Sequence, residues 1–347
     1  MNAPISEYAS VRVPATTSNL GAGFDHVGVA IDKWLRVSVE LRTDTRDDRG
    51  LVTIHRTGTL TELDQRDGGP LPAHMDLICL SFNDIVQRWN RGNGFNGSVH
   101  FEANSDIPIG KGLGSSAAAH LAGAALANAA LGCGLTTQEI AGLGARMDGH
   151  GDNVGAAAFG GAVLMASDDE GEYFVPLPVH ESLGFAFAVP DFETRTAAAR
   201  AVLPPFIKFT DAVAAAARSA ALIRGLQTGD ARLLAAGFDD VLHVPYRKHF
   251  NRHYDCVVEA ARSAGAFGAT LSGSGSSIVA VASRSIAPRV AEFMAEAWGL
   301  LGVDACGFAT GACLAGLNVV SSTYPPTDLS PYESAQPIRL PRSIACP

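Results

Sequence analysis

Asp106-Ile-Pro-Ile-Gly-Lys-Gly-Leu-Gly-Ser-Ser116 runs without a break into Ala117-Ala-Ala119. Glycines at 110, 112 and 114 let the backbone turn sharply and come close to a bulky anion. A helix starting at Ser115 would present free N–H groups and the positive end of its dipole to that anion. Ser115 and Ser116 supply hydroxyls for phosphate oxygens or for a phosphate-bound cation, and Lys111 adds a mobile positive charge. The spacing is neither GxxxxGK[ST] nor a GxGxxG followed by a ribose-binding acid. A serine-capped strand-to-helix turn would use the same residues, but three spaced glycines before a double serine point to a phosphate site.

Outward from this loop, strand-like and helix-like segments alternate. Val11–Val13, Val27–Leu41, Leu51–Ile54 and Ser98–Phe101 read as strands, and Asp76–Trp89 and Ser115–Leu131 as helices. Thr137, with Glu139 behind it, caps a further helix to about Met147. Gly160-Gly161 punctuates a strand at Ala162–Met165. The acidic turn Asp168-Asp169-Glu170-Gly171 then marks a boundary between a domain over 1–170 and one over 171–320. In the second half Gly184–Val189, Ala269–Leu271 and Ser277–Ala282 read as strands. Thr196–Leu203, Thr210–Leu226, Ala231–Leu242, Arg252–Ala264 and Ile286–Trp298 read as helices. Six of the 18 prolines fall in 321–347, which reads as an extended tail. This mixed order favours an α+β fold over a doubly wound sheet.

The 347 residues are 47% hydrophobic and 18% charged, enough for packed cores in two domains and incompatible with a disordered chain. With 26 basic and 35 acidic residues the formal charge is −9. That disfavours a nucleic-acid or anionic-membrane surface, and such a protein must gather its cations locally to handle an anion. Six scattered cysteines with no CxxC pair read as reduced thiols. The N-terminus lacks the features of a signal peptide, and no stretch is apolar enough to span a bilayer. The expectation is a cytoplasmic enzyme, with a homodimer as the assembly to test.

Two further small-residue loops accompany the first. Gly268-Ala-Thr-Leu-Ser-Gly-Ser-Gly-Ser-Ser277 joins two strands, and Pro14-Ala-Thr-Thr-Ser-Asn-Leu-Gly-Ala-Gly-Phe-Asp25 follows one, placing Asn19 and Asp25 among small residues. The three segments, in this order, resemble the three motifs of the GHMP kinases. Gly149-His-Gly-Asp-Asn-Val154, Thr196-Ala-Ala-Ala-Arg-Ala-Val-Leu-Pro204 and His243-Val-Pro-Tyr-Arg247, together with the segment over 14–25, resemble the homoserine kinases within that family.

The resemblance covers about residues 10–310. It implies a ribosomal-protein-like nucleotide domain followed by a ferredoxin-like domain, with the site between them. It also implies phosphorylation of L-homoserine by ATP with Mg²⁺, on the route to threonine. Gly110, Lys111, Gly112, Leu113, Gly114, Ser115 and Ser116 would wrap the triphosphate, and Asp76 would stand beside adenine. Ser116 (Ser115 as the alternative) and Asp148 would hold Mg²⁺, a hard cation that prefers oxygen donors. A zwitterionic substrate needs cations for its carboxylate, a role for Arg200 and Arg247, and acceptors for its ammonium, a role for Asn19, Asp25 and Asp152 with His150 beside them. Gly273 belongs to the same site. Asn153 would orient the attacking hydroxyl, with positioning dominant and a proton role for Asp25 or Asp152 the alternative.

Taken singly, Arg200 would be a solvated charge, Asp152-Asn153 a helix cap and His150 a structural histidine. The chain departs from the family pattern at Asp148 (commonly Glu), Asp76 (commonly Asn), and Ala22, Gly151 and Ser276 (commonly Pro). A kinase for another hydroxy amino acid or hydroxy acid, and a non-catalytic ligand-sensing relative, remain as alternatives.

Overall fold

A computed structural model describes residues 8–42, 50–66, 68–89, 97–169 and 171–322. The proline-rich segment expected at the C-terminus lies outside the described residues except for its first two.

The first sheet contains β1 (Tyr8–Ser18), β2 (Val27–Arg42), β3 (Val52–Gly58), β4 (Ser98–Ser105), β5 (Ala162–Asp168), β6 (Gly171–Leu177) and β11 (Asn318–Ser322). Its order is β11-β1-β2-β4-β3, with β5 pairing both β2 and β6. The 16 residues of β2 serve two neighbours, Val27–Val29 pairing with β5 and Leu35–Arg42 with β4. A register shift at Pro14/Ala15 lets β1 follow the bend. Among the described residues only β3 and β4 pair in parallel, joined by a crossover through α1 (Leu77–Trp89).

Helices α2 (Ser115–Leu131), α3 (Thr137–Asp148) and α4 (Asp152–Phe159) join α1 in this first half. The alanines of α2 are explained by its position. It is buried among β1, β2 and α1, and small side chains let backbones approach. At Gly123 an added Cβ would fall on the Ile78 carbonyl oxygen of α1. The cap of α3 is Thr136, not Thr137 as expected. Thr136 and Glu139 form a reciprocal capping box, which requires the acid three residues after the cap.

The second sheet is β10 (Ala305–Thr310), β7 (Leu183–Pro190), β9 (Ile278–Ser283) and β8 (Gly268–Leu271), in that order and antiparallel throughout. With α10 (Ala287–Gly299) between β9 and β10, and α5 (Thr196–Ala201), α6 (Phe209–Thr228), α7 (Ala231–Phe238), α8 (Val244–Arg247) and α9 (Tyr254–Ser263) between β7 and β8, the unit is a split β-α-β of ferredoxin-like type. The fold is thus α+β in two sheets.

The polypeptide does not divide at the acidic turn. β6 pairs with β5 along its whole length, and β11 returns to the outer side of β1. Sequence signals for turns locate a hairpin as readily as a domain boundary, and only strand pairing separates the two. Cys79, Cys133, Cys256 and Cys313 are free, whereas Cys306 is in a disulfide, a correction to the expectation of six reduced thiols. Cys306 is half-buried and lies on β10, the end strand of its sheet. No helix among the described residues is long and apolar enough to cross a membrane.

The close approach at Gly123 is testable. Gly123→Ala gains about 1 kcal/mol of helix propensity but forces α1 away at a cost of about 1–3 kcal/mol. Urea unfolding should show a net loss of stability. Unchanged or increased stability would mean that α1 slides freely on α2.

Candidate active site

The three small-residue loops meet in one place, and, counted in chain order, the third holds the second by its carbonyls. Ser272, Ser276 and Ser277 donate from Oγ to the carbonyl oxygens of Gly112 (2.7 Å), Gly110 (3.0 Å) and Lys111 (2.6 Å). On the other side the Thr16 amide donates to Leu113 O at 3.1 Å. Gly110, Gly112 and Gly114 all have φ between 69° and 72°, a region open to glycine. An added Cβ at Gly112 would fall on Ser272 O, and one at Gly114 on Thr16 Oγ1. Among the described residues no backbone N–H from Lys111 to Ala117 donates a hydrogen bond. With the carbonyls tied away, these amides and the α2 dipole make a nest for an anion.

A cavity of about 100 Å³ opens in front of the nest. It is lined by Gly110, Gly112, Gly114, Ser115 and Ser116 from the loop, Asn19 and Gly273 from the flanking loops, and His150, Asp152, Asn153, Arg200 and Arg247 from α4 and the second domain. All twelve were expected from the sequence. Five further candidates stand elsewhere. Lys111 Nζ is bound to the carbonyls of Asp191 (2.7 Å) and Phe192 (3.1 Å), so it braces the loop rather than facing the cavity. Leu113 is buried in the core. Asp76 caps α1 through Ile78 N (2.9 Å) and pairs with the buried Arg56 (2.9 Å), which also reaches Asp64. Each of its oxygens thus has a protein partner, and Asp76 is not among the residues lining the cavity. Asp25 lies behind Arg200, and Asp148 behind His150.

Asp25 and Arg200 form a two-pronged pair at 3.0 and 2.9 Å. Burial acts against the Arg200 charge, but the Asp25 carboxylate outweighs it and holds the guanidinium pKa above its ordinary value. Asn19 closes the turn, accepting from Asp25 N (2.9 Å) and donating to Gly273 O (2.8 Å). Arg247 is 2% exposed. Its Nε donates to Ala199 O at 2.9 Å, its guanidinium sits 4.7 Å from the Phe24 ring centre, and its terminal nitrogens have no partner among the described residues. It is a buried cation aimed into the cavity.

Asn153 is clamped. Its Oδ1 accepts from Thr16 Oγ1 (2.7 Å), and its Nδ2 donates to Ser18 Oγ (2.8 Å) and Asp152 Oδ1 (3.2 Å). A carbonyl oxygen keeps a second lone pair for a ligand hydroxyl. Burial alone would raise the Asp152 pKa, but His150, the Asn153 amide and Ser18 outweigh it and hold the carboxyl below its usual range. It is a fixed anion and a poor base. Burial lowers and Asp152 and Asp148 raise the His150 pKa, with a net rise.

One Asp148 oxygen, Oδ2, is buried without a hydrogen-bond partner. Its other oxygen lies 3.9 Å from His120 Nε2, one helical turn after Ser116 on the same face of α2. Oδ2 lies 3.4 Å from His150 Nδ1, so this carboxylate faces two imidazoles, and with the Ser116 hydroxyl it offers hard oxygen donors that fit Mg²⁺.

The departures have partners too. Ser276 gains the bond to Gly110 O and accepts from Thr194 N at 2.8 Å, which proline could not do. Space at Gly151 is filled by Met165 and Phe174. The sequence reading missed Glu193, Thr194, Arg195, Thr196 and Ser274 as lining residues. An apolar strand followed within three residues by Glu-Thr-Arg-Thr was the available signal.

Residues 80–161 match the family GHMP kinases N terminal domain, and residues 222–300 match GHMP kinases C terminal. A homoserine kinase of Microchaete diplosiphon is 36% identical over 296 residues, 85% of this chain and 92% of the relative. The chain belongs to the homoserine kinase family. A homoserine kinase of Gloeobacter violaceus is 38% identical over 83% of this chain and 92% of its own. Among solved structures, the Cytophaga hutchinsonii homoserine kinase superposes with a TM-score of 0.79 at 28% identity, over 92% of this chain and 99% of its own. Membership makes the chain an ATP-dependent kinase with a small-molecule substrate.

His243 stacks on Phe24 with ring centres 4.8 Å apart and reaches Gly21 O at 3.1 Å, joining the first loop to the segment of Arg247. Burial lowers its pKa from 6.5 to about 4. Between those values the unfolded chain binds a proton that the native one rejects, so this contribution is full above pH 6.5 and lost as pH falls through the window. Denaturation of His243→Gln should therefore show a shallower fall in stability between pH 6.5 and 4 than the parent, by about one proton. Equal slopes would assign that proton uptake elsewhere.

Proposed function

We propose that this chain transfers the γ-phosphoryl group of ATP to the side-chain hydroxyl of L-homoserine, giving O-phospho-L-homoserine and ADP. One observation carries the reading: an amide nest at a helix start faces a buried guanidinium, Arg247, across the same cavity as the fixed anion Asp152. The nest suits a triphosphate, and the two charges suit the carboxylate and ammonium of an amino acid.

The loop over 110–116 takes the phosphates. Arg247 binds the substrate carboxylate with its free terminal nitrogens, and Arg200 adds donors that Asp25 leaves unused, since a guanidinium has five N–H groups. Asp152, with Asn19 and His150 beside it, takes the ammonium. Asn153 Oδ1 accepts from the substrate hydroxyl and holds its oxygen in line. Ser116 and Asp148 would hold Mg²⁺, which when bound offsets the phosphate charge. The hydroxyl oxygen forms its bond to the γ-phosphorus as the bond to the β,γ-bridging oxygen breaks, and the hydroxyl proton passes to a phosphoryl oxygen. Asp152 is held too acidic, and Asp25 too firmly paired, to favour either as a base. Alignment and charge then supply the rate.

ADP release with Mg-ATP tests this against L-homoserine, L-serine, L-threonine, mevalonate, galactose and no acceptor. Turnover confined to L-homoserine is expected. Turnover with another alcohol alone would discard the substrate, and nucleotide binding without turnover would leave a sensing relative. Arg247→Ala should raise the homoserine KM about 10- to 100-fold, the worth of one or two charge-assisted hydrogen bonds. Asn153→Ala should instead lower kcat about 100-fold through lost alignment. If the two variants exchanged these effects, the assignments would be wrong.

A further inference from the structure

The cations around the cavity are largely committed. Lys111 is tied to two carbonyls, Arg200 is paired with Asp25, and Arg247 is anchored beneath Phe24 and on Ala199. Arg195 also lines the cavity; its carbonyl accepts from Ala199 N at 3.0 Å, but among the described residues its guanidinium makes no hydrogen bond or ion pair. Its placement follows from the backbone. The chain bends at Asp191 and Phe192 after β7, and Arg195, extended at φ −68° and ψ 131°, stands at the N-cap of α5 with no capping bond from its side chain. Thr194 is buried, with its amide held by Ser276. Glu193 and Arg195 both line the cavity.

The charge balance there is unfavourable without Arg195. The Glu193 carboxylate packs on the loop so closely that a Cβ at Gly110 would meet its Cδ at 2.5 Å. A triphosphate settling on the nest therefore meets a neighbouring carboxylate, while the one lysine of the loop points away. Charge spreading over the transferred group must be met by a preplaced donor, and a guanidinium fork suits phosphoryl oxygens.

We propose that Arg195 is the cation that contacts the terminal phosphoryl group of bound ATP and stabilises its charge during transfer. This rests on the assignment of the cavity to ATP and homoserine. Arg195 is a catalytic residue in that it touches the reacting group, whereas Lys111 only braces the loop.

The test separates the third phosphate from the other two. Binding of AMP-PNP and of ADP, each with Mg²⁺, is measured by calorimetry on the full chain and on Arg195→Ala and Arg195→Lys. The expected result is a loss of AMP-PNP affinity of about 10- to 100-fold in Arg195→Ala. ADP affinity should stay within about twofold, and Arg195→Lys should recover part of the loss. Steady-state kinetics should show a lower kcat with an unchanged homoserine KM. Equal losses for both nucleotides, a rise in homoserine KM alone, or no change would each overturn the proposal. Should Arg195→Ala fail to fold, Arg195→Lys carries the same comparison, because a point charge replaces a fork without removing the cation. If the parent chain binds neither nucleotide, the reading of the cavity fails first, and this proposal with it.

Discussion

Three serine hydroxyls on three carbonyl oxygens set the geometry on which the rest of the site depends. Because Ser272, Ser276 and Ser277 hold the carbonyls of Gly112, Gly110 and Lys111, the intervening trans peptides must turn their N–H groups the other way. The result is a run of unpaired amides that would be costly if buried dry. An anion is their natural partner. The serines belong to the turn between β8 and β9 of the second sheet, and the carbonyls to the loop before α2. The amide nest and the join between the two sheets thus share one set of hydrogen bonds.

The substrate side is built in the same manner. Phe24, on the first loop, is covered by the rings of His243 and the guanidinium of Arg247. Asp25 next to it pairs with Arg200 of α5, and Asn19 reaches Gly273. Asn19 and Asp25 have φ near 58°, an uncommon conformation for residues with side chains. Both are stabilised in it by these bonds, which explains why short polar side chains occur there. Charges in the cavity are arranged before any ligand arrives, so little reorganisation accompanies the reaction.

Departures from the family pattern occur in compensated pairs. An aspartate at 76 meets the buried Arg56, and a serine at 276 replaces the rigidity of proline with two hydrogen bonds. A glycine at 151 yields its space to Met165 and Phe174. Each is a substitution whose effect is absorbed by neighbours far away in the chain.

The glycine-serine turn and the alternation of apolar segments determined the α+β class and the loop residues Gly110, Gly112, Gly114, Ser115 and Ser116, because backbone conformation and dipole placement are local properties. Helices such as Ser115–Leu131 were legible for the same reason. Asn19, His150, Asp152, Asn153, Arg200, Arg247 and Gly273 were legible only through the resemblance of their motifs to a family. The tertiary structure alone decided what each charge faces. It turned Lys111 and Asp76 away, hid Asp148 behind His150, and brought Glu193 and Arg195 to the loop. Strand β1 was read as three residues but spans eleven, since Thr16–Ser18 are small polar residues whose burial depends on loops more than a hundred residues distant. The strands β6 and β11 were missed likewise, because pairing partners are chosen by packing across the chain, and no local pattern encodes them.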